Sequence, residues 1–118
     1  MKIAIIGSRD FSDLSRVHTY VHDNFCDGDI LVSGSARGVD SAGEEQARAL
    51  GITCEIYKPD YNKYPGRYAP IARNRDIVAA ADKVVAFWDG KSRGTLSALE
   101  FARELGKPVE IFYDRDNR

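Results

Sequence analysis

Five short runs of apolar, largely β-branched residues recur along this chain: Ile3 to Ile6, Ile30 to Val32, Ile52 to Tyr57, Val84 to Trp88 and Val109 to Phe112. None of them alternates strictly with polar residues. A continuous apolar run of this length is a strand covered on both faces, and such strands belong to parallel sheets packed between helices. The intervening segments fit that requirement. Leu14, Val17, Val21 and Phe25 keep a helical period. So do Val39, Ala42, Ala47 and Leu50 ahead of Gly51, and Leu96, Leu99, Ala102 and Leu105 ahead of Gly106. Residues 58–70 hold Pro59, Pro65, Gly66 and Pro70 and predict a loop, with a helix resuming over 71–81.

Strands that alternate with helices in this way predict an α/β, Rossmann-like three-layer fold. The expected sheet has five parallel strands in the order 3-2-1-4-5, with helices on both faces. The chain has 118 residues, which suits one domain. That domain is expected over residues 1–114, followed by a polar tail at 115–118.

Charge and cysteine usage narrow the partners. The net charge is −1, so the surface as a whole does not attract nucleic acid, and nucleic acid is disfavoured as a partner. Cys26 and Cys54 form no CxxC pair, which points to free thiols in a reducing, cytoplasmic setting. No stretch approaches the roughly 20 apolar residues of a membrane span, so no membrane partner is expected. The apolar run at the N-terminus is short and meets charge at once, unlike a signal peptide. His18 and His22 lie one helical turn apart with Asp23 and Cys26 nearby. Nothing supplies the rest of a ligand set at recognisable spacing, so no metal is expected.

In open sheets of this kind ligands bind beyond the carboxyl ends of the strands, where the chain order reverses. The order 3-2-1-4-5 places that crevice between the first and fourth strands. Three loops converge there. The first is Gly7-Ser8-Arg9-Asp10. The second, SGSARGVD, carries Gly34, Ser35, Arg37, Gly38 and Asp40. The third, DGKSRGT, carries Asp89, Gly90, Ser92, Arg93, Gly94 and Thr95. Glycines let backbone come close to a ligand, and helix N-termini behind the second and third loops direct unpaired N–H groups at an anion. Arginine grips phosphate through two parallel hydrogen bonds. Asp40 is ambiguous, because a carboxylate is favourable at a helix start yet repels a neighbouring phosphate; accepting hydrogen bonds from a ribose is its alternative role. From the end of the third strand into the next helix, Tyr57, Tyr61, Tyr64 and Tyr68 interleave with Lys58, Lys63, Arg67, Arg73 and Arg75. Aromatics beside cations suit base stacking with phosphate attraction, although tyrosines packed on a sheet edge give the same pattern. Arg73 and Asn74 are the favoured functional part of that segment.

Taken together, IGSRDF, SGSARGVDSAGE, ARN and ADKVVAFWDGKSRGT resemble the YspA-like, cpYpsA-related branch of the SLOG superfamily. That superfamily includes the DNA-processing protein DprA/Smf and the LOG cytokinin-activating enzymes. The resemblance runs over nearly the whole chain, and such proteins recur in phage genomes, so a phage-encoded protein of a bacterial cell fits. It implies a Rossmann-like domain that binds nucleotides or nucleotide-derived signals such as an NAD-related or ADP-ribose-like compound, with no certain cofactor. It also implies roles for Gly7, Ser8, Arg9, Gly34, Arg37, Gly38, Asp40, Glu44, Arg73, Asn74, Asp89, Gly90, Ser92, Gly94 and Thr95. Ser35 stands where a second glycine is common, and Gly43 where alanine is common. LOG enzymes carry a GGxGTxxE pattern whose glutamate works on an N-glycosidic bond. Here the third position after Thr95 is Ala98, and the nearest glutamate, Glu100, projects well round the helix from it.

Three functions follow. The first is a binding or sensing module for a small nucleotide ligand, expected as a homo-oligomer. The second is an N-glycosidic hydrolase or transferase with Asp89 and Glu44 as its catalytic carboxylates. The third is DprA-like single-stranded DNA binding. Whether the protein is an enzyme stays open at the level of sequence.

Overall fold

The structure, a computed structural model, describes residues 1–114. The expected tail at 115–118 lies outside the described residues. The chain runs β1 (Lys2–Gly7), α1 (Ser15–Asn24), β2 (Ile30–Ser33), α2 (Val39–Ala49), β3 (Thr53–Ile56), α3 (Tyr68–Ala80), β4 (Lys83–Trp88), α4 (Arg93–Glu104) and β5 (Val109–Tyr113). The five strands form one sheet in the order β3-β2-β1-β4-β5, and every pair is parallel. The fold is the Rossmann-like α/β architecture that the alternation of runs predicts.

Successive strand residues turn to opposite faces, so β1 feeds two cores. Ile3 and Ile5 join Val17, Val21, Leu31 and Val39 beneath α1 and α2. Ala4 and Ile6 join Ile77, Val78, Ala98 and Leu99 beneath α3 and α4. The first core is closed by aromatics. Phe87 stacks on Phe112 at 5.1 Å between centroids and meets the edges of Phe11 and Tyr20 at 5.7 and 6.0 Å. The second core uses alanines at 4, 81, 86, 98 and 102, whose short side chains let α3 and α4 lie close to the sheet.

One boundary differs from expectation. Helix α3 starts at Tyr68, inside the segment predicted as loop, and Pro70 is its third residue. The first turn of a helix leaves its N–H groups without intrahelical acceptors, so a proline there loses nothing. The proline reads as a breaker by residue type and sits in the helix by position.

Candidate functional site

A crevice of about 300 Å³ opens at the carboxyl edge of the sheet, where β1 and β4 lie side by side and the chain order reverses. Its wall is drawn from every loop expected there and from two helices. Ile6, Gly7 and Arg9 come from the end of β1, and Ala36, Arg37 and Asp40 from the loop into α2. Pro70, Arg73, Asn74 and Ile77 come from α3, and Ser92, Gly94, Thr95 and Ala98 from the start of α4.

The ends of β1 and β4 are tied together. The Ser8 amide donates to the Phe87 carbonyl at 2.9 Å, and the Asp89 amide donates to Ser8 Oγ at 3.0 Å. Ser8 is only 1% exposed, so its hydroxyl serves the loop and does not line the crevice. Arg9, the next residue, is exposed and does line it.

The loop after β2 is organised around two buried carboxylates. Asp40 Oδ2 accepts from the Gly34 amide at 3.2 Å and the Ala36 amide at 3.3 Å, and the residue is 5% exposed. Desolvation by burial raises its pKa to about 7; the Ala36 and Gly34 amides and the nearby Arg73 charge pull the other way. Glu44, one turn further along α2, accepts from Ser33 Oγ at 2.7 Å and from Ser35 Oγ at 2.9 Å, with Arg48 Nη2 at 3.4 Å. Gly38 has φ +79°, and a Cβ there would lie 2.5 Å from the Arg9 carbonyl oxygen. Only glycine lets the first loop rest on the start of α2.

The loop after β4 is built in the same manner. Asp89 Oδ1 accepts from the Lys91 and Ser92 amides, both at 2.8 Å. Desolvation works to raise its pKa, but the Ser92 and Lys91 hydrogen bonds outweigh it and the carboxyl stays below its ordinary value. Ser92 caps α4, its Oγ 3.5 Å from the Thr95 amide and 3.2 Å from Thr95 Oγ1.

Helix α3 joins these two loops across the crevice. Arg73 Nη1 donates to the Gly34 carbonyl at 2.9 Å, and Arg73 Nε to Asn74 Oδ1 at 3.0 Å. Asn74 Nδ2 donates to the Gly94 carbonyl at 3.2 Å. The adjacent pair Arg73 and Asn74 therefore fixes the distance between the loop into α2 and the start of α4.

Of the residues singled out in the sequence, Gly7, Arg9, Arg37, Asp40, Arg73, Asn74, Ser92, Gly94 and Thr95 come together on the wall. Ser8, Gly34, Ser35, Gly38, Gly90 and Arg93 do not line it. Neither do the two candidate catalytic carboxylates, Glu44, whose oxygens both accept from loop serines, and Asp89, whose Oδ1 accepts from the Lys91 and Ser92 amides. Sequence reasoning missed the apolar wall of Ile6, Pro70, Ile77 and Ala98. A signal for part of it was present: 70, 73, 74 and 77 share one face of a helix, as do 95 and 98. Ala98, where the LOG pattern has its glutamate, does face the crevice, whereas Glu100 is exposed elsewhere. Among the described residues no three His, Cys, Asp or Glu side chains converge as a metal set.

No family model matches the chain. The Gene 61 protein of Mycobacterium phage D29 is 31% identical over 123 residues, spanning 97% of this chain and 98% of that protein. Among solved structures, DNA processing protein A from Helicobacter pylori superposes with a TM-score of 0.82 at 25% identity, over 100% of this chain and 67% of its own. That structure concerns a single-stranded DNA binding mode. DprA from Streptococcus pneumoniae superposes with a TM-score of 0.79 at 24% identity, over 93% of this chain and 49% of its own.

The likeness to the Helicobacter protein overturns the expectation that nucleic acid is a disfavoured partner. The Helicobacter protein matches this chain along its whole length and is described by the way it binds single-stranded DNA. The error lay in arguing from net charge. A sum of −1 averages over a surface that gathers Arg9, Arg37 and Arg73 around one crevice, and attraction to phosphate follows the local field.

Proposed function

The chain belongs to the family of the phage Gene 61 protein, and we propose that it binds single-stranded DNA, seating one nucleotide of the strand in the crevice beside β1 and β4. The observation that carries this reading is the grouping of three arginines, at 9, 37 and 73, with the capped N-terminus of α4 around one cavity. Phosphate oxygens find charge-assisted donors there, and the apolar wall gives a base a dry surface. The fold shared with a single-stranded DNA-binding protein supports the same reading. The contacts would come from Arg9, Arg37, Arg73, Asn74, Ser92 and Thr95. Membership of the YspA-like SLOG branch remains the motif-based part of the proposal.

The test is fluorescence anisotropy of a labelled single-stranded oligonucleotide over a salt series. Binding should weaken linearly in log–log form, with a slope of about −0.7 per phosphate neutralised on a single strand. Absence of binding at low salt, or binding indifferent to salt, overturns the proposal.

A second reading is a free nucleotide or ADP-ribose-like compound as ligand. The size of the crevice favours it, since about 300 Å³ falls at the lower end of small-molecule sites. A thermal-shift panel separates the two readings, because a free nucleotide that binds stabilises the protein without any strand. The N-glycosidic alternative has less support, because Asp40 is the single carboxylate among the lining residues.

A further inference from the structure

Asp40 is an acceptor set in a wall that is otherwise cationic, apolar or neutral. Its Oδ2 is occupied by the Gly34 and Ala36 amides, at 3.2 and 3.3 Å. Its Oδ1 receives no hydrogen bond among the described residues, and none of their buried side-chain oxygens is left without a partner. Oδ1 is therefore the oxygen left to accept from a ligand in the crevice that Asp40 lines. The charged groups that face the carboxyl are Arg73 from α3 and Glu44 from its own helix, with Arg9 and Arg37 on the surrounding wall.

A carboxylate oxygen in a desolvated wall accepts an N–H or O–H and repels phosphate. Phosphate therefore belongs at the arginines and the start of α4, and a donor group belongs at Asp40. Inside a DNA strand the sugar has no free hydroxyl to give. The remaining donors are on the bases. Cytosine, adenine and guanine carry an exocyclic amine, and a carboxylate reads the cytosine amine directly. Thymine presents a carbonyl oxygen at the corresponding edge, and its one ring N–H lies between two carbonyl oxygens that repel a carboxylate. The residues Ile6, Pro70, Ile77 and Ala98 supply apolar contact for the ring.

We propose that Asp40 is a specificity-determining residue that selects an amino-bearing base over thymine for the crevice. This rests on the single-stranded DNA reading above. The experiment compares oligo(dC) with oligo(dT) by anisotropy at pH 8, for the wild type, Asp40→Asn and Asp40→Ser. Both oligonucleotides are pyrimidine strands of equal charge, so the phosphate contribution cancels. The wild type should hold oligo(dC) roughly tenfold more tightly than oligo(dT). Asp40→Asn, whose amide nitrogen can donate to the thymine carbonyl, should level or reverse the preference, and Asp40→Ser should level it. Melting curves establish that each variant is folded, and the wild-type ratio stands as a test if one is not. Equal wild-type affinities, or a preference unchanged in a folded variant, overturn the role of Asp40 and leave DNA binding intact. Failure of both oligonucleotides to bind overturns the DNA reading and this inference with it.

Discussion

Arg73 and Gly34 are matched at contact distance: the guanidinium donates to the Gly34 carbonyl at 2.9 Å, and a Cβ on Gly34 would fall 2.6 Å from that same nitrogen. The backbone of the second loop and the arginine of α3 thus share a space that only a glycine leaves free. Gly34→Ala should push the arginine aside. A flexible side chain yields easily, so the stability cost should stay below about 1 kcal/mol. Ligand affinity should fall roughly tenfold through the displaced charge-assisted donor. Denaturant melts alongside oligonucleotide titrations check the split; a large stability loss with unchanged affinity would refute it.

Gly38 should behave in the opposite way. Its φ of +79° disfavours any side chain, and the atom a Cβ would meet at 2.5 Å is the Arg9 backbone carbonyl, which cannot swing away. Gly38→Ala should cost at least about 2 kcal/mol. The shift of the denaturant midpoint measures it.

Asp40 gives stability a pH dependence of definite sign. The unfolded carboxyl loses its proton near 3.8, whereas burial holds the folded one to about 7. Between these values the folded state binds the extra proton, so stability falls as pH rises through the window and levels above it. The full loss is at most about 4 kcal/mol. Chemical denaturation across this range should show the decline in the wild type and a flatter profile in Asp40→Asn.

Arg9 and Arg37 are exposed, line the crevice and stand apart from the hydrogen bonds that tie the loops together. Arg9→Ala and Arg37→Ala should leave melting within about 0.5 kcal/mol of the wild type. Each should reduce the salt slope of strand binding by about 0.7 if its guanidinium neutralises one phosphate. Slopes equal to that of the wild type in both variants would remove them from the phosphate path.

The fold was legible because period is a local property. Ile3 to Ile6 reads as a buried strand wherever it stands, and Val39, Ala42 and Ala47 read as one face of a helix. Given five such strands and their crossovers, right-handed connection and burial leave few sheet orders, so the position of the crevice and its three loops follows from the pattern of runs. Tyr68 and Pro70 were missed because a proline's effect depends on its position within the helix, which residue type does not disclose.

The direction of each side chain within the loops was decided by tertiary structure. Ser8 turns inward to the Asp89 amide, 81 residues away in sequence, and Arg73 reaches the Gly34 carbonyl across 39. Glu44 is consumed by Ser33 and Ser35, while Asp40, four residues earlier, keeps an oxygen for the crevice. Local patterning dictates which segments meet at the sheet edge, because hydrophobic period acts over a few residues. Which of their polar groups remain open to a ligand was set only on folding, because a donor or acceptor is spent on whichever distant partner the packed chain brings within about 3 Å.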